Sequence, residues 1–145
     1  MARAFRLAPV LELAQRHLET ATAELQKLAM RRNEAQARLD QLHRFLADYR
    51  TQFEQALVNG LERDRLNDFK AFLVKLERAV EMQGGEVQRC QRAWQGKHGE
   101  WMELRKREQA MTVLKDRHVA AETVRDGKRE QKQQDEFAGR QARSE

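Results

Sequence analysis

The sequence is poor in the residues that cross-link chains, break helices and fill thick cores. It contains one cysteine, Cys90, and one proline, Pro9, and only 6% of its 145 residues are aromatic. One cysteine excludes an intramolecular disulfide, so Cys90 is expected to act as a small apolar residue in a reducing compartment. With its only proline near the N-terminus, the rest of the chain contains no helix-breaking proline.

Long hydrophobic runs are also missing. No apolar stretch approaches the roughly 20 residues that a membrane-spanning helix needs, and the first residues lack the apolar core of a signal peptide. Charged residues make up 35% of the chain and the mean hydropathy is −0.91. Such a composition predicts a cytoplasmic protein with too little apolar material for a thick globular core.

The positive charge is not concentrated. The formal net charge is +5, yet the only dense basic run is Arg105–Arg107. Nucleic-acid binders usually gather their basic residues on one patch or tail. We therefore expect no nucleic-acid partner.

Signatures of catalysis are absent as well. His17, His43, His98 and His118 show no metal-binding spacing, and no glycine-rich phosphate loop is complete. The sequence predicts no enzyme activity, no cofactor and no metal site.

Apolar residues instead recur in alternating steps of four and three. This seam, interrupted only by Arg32, predicts a helix that buries one narrow stripe against another helix. Its members are Leu7, Leu11, Ala14, Leu18, Ala21, Leu25, Leu28, Ala35, Leu39, Leu42, Leu46, Tyr49, Phe53 and Ala56.

A second seam resumes after a short polar break, and its polar exceptions are Gln83, Lys97 and Glu108. Trp94 and Trp101 lie on this seam, which favours core packing near Ala14 and Ala21 over a stacking role. The apolar seam positions are Leu66, Phe69, Leu73, Leu76, Val80, Val87, Cys90, Trp94, Trp101, Leu104 and Met111.

Together the two seams predict an all-α fold: a long two-helix antiparallel coiled-coil hairpin with an overhanging C-terminal helix. We expect a single domain, with helix one at about 8–57, the bend at about 58–65, helix two at about 66–121 and a polar tail at about 122–145. Asn59-Gly60 suits the end of the first helix, and Asp64 is a candidate cap for the second.

The apolar stripe widens next to the bend. Pairing around Leu61 brings residues of both helices into one aromatic patch, which is typical of a protein-binding surface. The alternative is that these residues thicken the core under a third segment or a second copy. The aromatic patch consists of Leu42, Phe45, Tyr49, Phe72, Leu76 and Ala79.

Over its whole length the chain resembles the flagellar FliJ family. The local matches are Asp48-Tyr49-Arg50, the stretch 67–72 with 76–80 after it, and the tail 131–140, which is the most specific of them. The resemblance implies a stalk-like coiled coil that links the hexameric flagellar export ATPase to the cytoplasmic region of a membrane export gate. Export chaperones are further expected partners.

The same resemblance implies where the partners bind. The aromatic patch corresponds to the gate-binding surface, although Arg38 and Gln83 depart from the residue types usual in the family. The joined ends of the two helices, including the overhanging C-terminal helix, would enter the ATPase ring. The residues expected to contact the ring, here called the tail segment, are Gln131, Lys132, Asp135, Glu136 and Phe137.

The resemblance also implies a monomer that is peripherally associated with the inner membrane at the flagellar base. Two other interpretations remain open. One is a structural coiled-coil scaffold that self-associates, and the other is the related stalk protein of an injectisome.

Overall fold

The computed structural model describes residues 3–144, in which two long helices contain nearly all of the chain. Helix α1 spans Ala8–Asn59 and helix α2 spans Arg63–Ser144. The described residues contain no strand. The predicted all-α helical hairpin is therefore confirmed.

The connection between the helices is shorter than the predicted bend. Gly60 adopts a positive φ of 89°, which glycine tolerates better than any other residue, and ends α1. The amide of Leu66 donates to the carbonyl of Glu62 at 2.9 Å, so Glu62 occupies the position before α2. Asp64, the expected cap, lies instead inside the first turn of α2.

The chain forms two compact units. The first unit joins Met1–Ala21 to Trp101–Glu145, and the second consists of Thr22–Glu100. In the second unit α1 and α2 run antiparallel, since Phe53 contacts Phe69 while Glu24 pairs with Lys97. In the first unit the start of α1 lies against the part of α2 around Leu104 and Met111.

Burial follows the predicted register closely. Every seam position from Leu11 to Ala56 and from Leu66 to Met111 is buried or half-buried, including the polar exceptions. Only four apolar residues of the described chain are buried, namely Leu11, Ala21, Ala35 and Leu46. Leu7, the first predicted seam residue, precedes α1 and is 40% exposed.

Each charged residue on the two seams contacts another side chain. The guanidinium of Arg32 lies 4.5 Å from the Trp94 ring centroid, and Trp94 also stacks on His98. The Trp94 ring is half-buried on the second seam, where it was expected, and it also contacts these two polar side chains. A cation over an indole face compensates for placing arginine at an apolar position.

Two further polar seam residues have partners of their own. Lys97 forms ion pairs with Glu24 and Glu100, and the hydrogen bond that it donates to the Glu24 carboxylate is the main cause that raises the pKa of Lys97. Glu108 accepts a hydrogen bond from the Thr112 hydroxyl at 3.0 Å. Each charge on the seam therefore keeps a polar neighbour.

Candidate binding surfaces

The aromatic patch lies in the second unit, beside the connection. Its two phenylalanines are its most exposed members: Phe45 is 55% exposed and Phe72 is 46% exposed. Leu42, Tyr49, Leu76 and Ala79 are half-buried beneath them. Large apolar side chains at such exposure, next to half-buried apolar neighbours, form a surface suited to a protein partner.

Ring contacts hold the patch in place. The Tyr49 ring centroid lies 4.7 Å from Phe72 and 5.2 Å from Phe69, and Phe53 continues the row at 5.5 Å from Phe69. Tilted aromatic pairs at these distances are favourable beyond their buried area. The sequence pattern identified Phe53 and Phe69 only as seam residues, but they also support the patch.

The two positions that depart from the family pattern have separate environments. Gln83 points between the helices, where its amide donates to the carbonyl of Ala35 at 3.0 Å. Arg38 is exposed on α1, close enough for its charge to help lower the pKa of Glu86, for which the hydrogen bond from Arg89 is the main cause. Gln83 therefore has a structural partner of its own within the hairpin.

The five residues of the tail segment are all exposed, and from Gly127 to Ser144 no residue is even half-buried. Lys132, Asp135 and Glu136 line one shallow groove of about 460 Å³ along this helix. Phe137, 63% exposed, does not line it, because each residue turns the helix by about 100°. Phe137, the one large apolar side chain of the tail segment, therefore lies on a different face of the helix from Lys132, Asp135 and Glu136.

The expected start of the tail needs a correction. Glu122, where the polar tail was expected to begin, is 5% exposed and is the buried charged residue of the described chain. One carboxylate oxygen accepts the main-chain N–H of Arg3 at 3.1 Å, and the other accepts from Arg125 at 3.1 Å. The hydrogen bond from Arg3 holds the pKa of Glu122 below its usual range, against the opposing effect of burial.

Residues 3–7, here called the N-terminal arm, pack on α2 around Glu122. The His118 ring nitrogen Nε2 donates to the Arg3 carbonyl at 2.8 Å, and the Phe5 and His118 rings lie 5.6 Å apart. The sequence offered a signal for this site, because the four-three steps continue from Met111 through Lys115 and His118 to Glu122. Polar side chains at these positions concealed the register.

Little in the described chain suits chemical catalysis. Within residues 3–144, no group of three or more His, Cys, Asp or Glu side chains is placed to hold a metal ion. Cys90 is half-buried, and burial followed by its contact with Glu86 raises the pKa of the thiol. A raised pKa keeps the thiol protonated and therefore weakly nucleophilic.

None of the helices in the described chain combines the length and the apolar character that a membrane span requires.

These features define a class of protein: an all-α helical hairpin with an exposed aromatic patch. Over residues 3–145 the sequence matches the model of the family described as Flagellar FliJ protein. The chain belongs to this flagellar FliJ family.

Two curated relatives agree with the family match. The chain is 27% identical to the flagellar FliJ protein of Salmonella typhi over 142 residues, covering 98% of this chain and 97% of the relative. It is 25% identical to the flagellar FliJ protein of Escherichia coli strain K12, with the same coverage. No solved structure matches the chain significantly.

Proposed function

We propose that the protein is a component of flagellar type III protein export. In this proposal it is a cytoplasmic, monomeric stalk that works at the inner face of the membrane at the flagellar base. It couples the hexameric export ATPase to the cytoplasmic region of the export gate and assists export chaperones. The observation that carries the proposal is the aromatic patch, in which Phe45 and Phe72 are exposed and Phe72 packs on the ring of Tyr49.

The gate half of the proposal assigns the aromatic patch to the export gate. Alanine at Tyr49 and Phe72 together should weaken capture of the gate's cytoplasmic region by about tenfold or more, since buried aromatic anchors dominate interface energies. Phe45→Ala is the cleaner single variant, because Phe45 takes part in no aromatic ring pair of the described chain. Circular dichroism should show unchanged helicity for Phe45→Ala.

A matched control separates the patch from general surface hydrophobicity. Val58 is 87% exposed near the same connection but lies outside the patch. Val58→Ala should capture the gate region as the unchanged protein does. Undiminished capture by the Tyr49/Phe72 variant, or equal loss with Val58→Ala, would reject the gate assignment.

The ATPase half of the proposal assigns the tail segment to the ATPase ring. A truncation that removes residues 127–145 keeps the buried Glu122 and its contact with Arg3, so the first unit retains that contact. This truncation should lower stimulation of ATP hydrolysis by the export ATPase, and Phe137→Ala should lower it in part. Full stimulation by the truncated chain would argue against entry into the ring through this segment.

Solution mass distinguishes the stalk from a self-associating scaffold. A monomer of 17.1 kDa is expected in sedimentation equilibrium. A stable dimer that hides Phe45 from a partner would favour the scaffold. The injectisome alternative is decided by the genes that surround this one, because the two stalk types share their helical pattern.

A further inference from the structure

A cavity of about 660 Å³ lies in the first unit, between the N-terminal arm and α2. It belongs neither to the aromatic patch nor to the tail segment. Three arginines line it, Arg3 and Arg6 from the arm and Arg125 from α2, together with His118 and Glu122. We name it the arginine cavity.

The one carboxylate that lines the arginine cavity, that of Glu122, is already hydrogen-bonded within the chain. Both oxygens of Glu122 accept hydrogen bonds, one from the Arg3 main chain and one from the Arg125 guanidinium. Glu122 therefore balances Arg125. No further acidic side chain lines the cavity.

Arg3 and Arg6 lie at the same opening, and Glu122 is the one carboxylate near them, on which the charge of Arg3 also acts. Neither guanidinium forms an ion pair within residues 3–144. The first turn of α1, which follows the arm directly, also contains no acidic residue. Two guanidinium groups at one opening provide fork-shaped donors that match carboxylate or phosphate oxygens.

The size and walls of the cavity discriminate between possible anions. Ala4, Phe5, Leu7 and Ala121 line it beside the arginines, and the opening holds far more than one small anion. Leu7 is 40% exposed, so an apolar side chain from outside can be covered there. A peptide segment that alternates acidic and apolar side chains fits both kinds of wall.

We propose that the arginine cavity binds an acidic, partly apolar segment of a partner protein, with Arg3 and Arg6 contacting its carboxylates and Phe5 with Leu7 covering its apolar side chains. The arginine cavity shares no residue with the aromatic patch or the tail segment. The purified chain alone is sufficient to test it.

The test uses fluorescence anisotropy of the full-length chain with a fluorescein-labelled decapeptide in which glutamate alternates with leucine. The peptide should bind, and raising NaCl from about 0.05 to 0.5 M should weaken it strongly, because exposed charges are then screened. Replacing both arginines in Arg3→Gln/Arg6→Gln should weaken binding by about tenfold or more. A peptide with glutamine in place of glutamate should bind much more weakly.

The control variant Arg16→Gln/Arg44→Gln removes the same charge at exposed positions that do not line the cavity, and should change affinity less than about twofold. Circular dichroism of both double variants verifies the fold. Equal weakening by both variants would overturn the site in favour of general electrostatic attraction. Unchanged binding when serine replaces leucine in the peptide would overturn the apolar half of the proposal.

Discussion

The side-chain amide of Gln83 donates a 3.0 Å hydrogen bond to the main-chain carbonyl of Ala35, across the two helices. Both residues occupy seam positions, and Ala35 is only 5% exposed, so its small side chain allows this approach. Gln83→Ala should lower the free energy of unfolding by about 1 kcal/mol, the usual net value of such a bond. Urea denaturation monitored by circular dichroism measures this change.

Gln83→Leu is the matched control for that prediction. An apolar side chain of similar volume at a seam position should destabilise the chain less than alanine does, because it fills the space that alanine leaves empty. The hydrogen bond would be shown to be energetically unimportant if the alanine variant were as stable as the unchanged chain.

The contact of Arg32 with Trp94 explains how the first seam tolerates a charge. A double-mutant cycle between Arg32→Ala and Trp94→Leu should give a coupling energy of about 0.5–1 kcal/mol, as expected for a half-buried cation over an indole ring. The exposed neighbour Arg31 serves as the control, and its cycle with Trp94→Leu should show no coupling. Equal coupling for both arginines would contradict the specific contact.

The carboxylate of Glu122 should make the N-terminal arm sensitive to acid. Its pKa is lowered in the folded chain, chiefly by the hydrogen bond from Arg3, so this contact stabilises the fold fully above the ordinary glutamate pKa of about 4.3. As pH falls through the lower folded value, the stabilisation is lost. The Arg3 amide proton in NMR spectra should therefore shift upfield as the pH falls below the ordinary glutamate range, because its hydrogen bond weakens when Glu122 is protonated.

The variant Glu122→Gln provides the control for this titration. With no carboxylate at this position, the acid-dependent shift of the Arg3 amide should disappear. An unaltered titration in the variant would assign the shift to another group, and none in the unchanged chain would contradict the lowered pKa.

Glycines in α2 and in the connection should respond to alanine with opposite signs. Gly99 has a helical backbone and open space where a Cβ would stand, so Gly99→Ala should stabilise the fold by roughly 0.5–1 kcal/mol. Gly60 has equally open space, but its φ of 89° strains any other residue, so Gly60→Ala should destabilise the fold by about 1 kcal/mol. Thermal unfolding of both variants tests the contrast, and the same sign for both would contradict it.

The periodicity of the sequence predicted the helical hairpin because the side chains that are buried recur at alternating spacings of four and three residues. From Leu11 to Ala56 the pattern requires only that each seam residue face the same side, and the structure places all of them so. The aromatic patch was predictable for the same reason, since Phe45 and Phe72 each precede a seam residue. No partner was needed to locate them.

The hydrogen bonds of Glu122 and Gln83 could not be predicted from the spacing of apolar residues. Glu122 belongs to a charged stretch, and its burial depends on the main-chain N–H of Arg3, which any residue but proline would supply. The partner of Gln83 is likewise a carbonyl group, which leaves no trace in the residue type of Ala35. A main-chain partner has no residue type that a sequence pattern can detect. The sequence therefore showed Gln83 only as a polar interruption of the seam, whereas the structure shows it hydrogen-bonded to Ala35.

Site-specific photo-crosslinking in motile cells tests the central claim, that separate surfaces of one monomer contact two different partners. A photoreactive benzoylphenylalanine replaces Phe45 in one strain and Phe137 in another, since both side chains are exposed. The proposal predicts that position 45 crosslinks to the export gate's cytoplasmic region and position 137 to the export ATPase. Crosslinks from both positions to a second copy of this chain would contradict it.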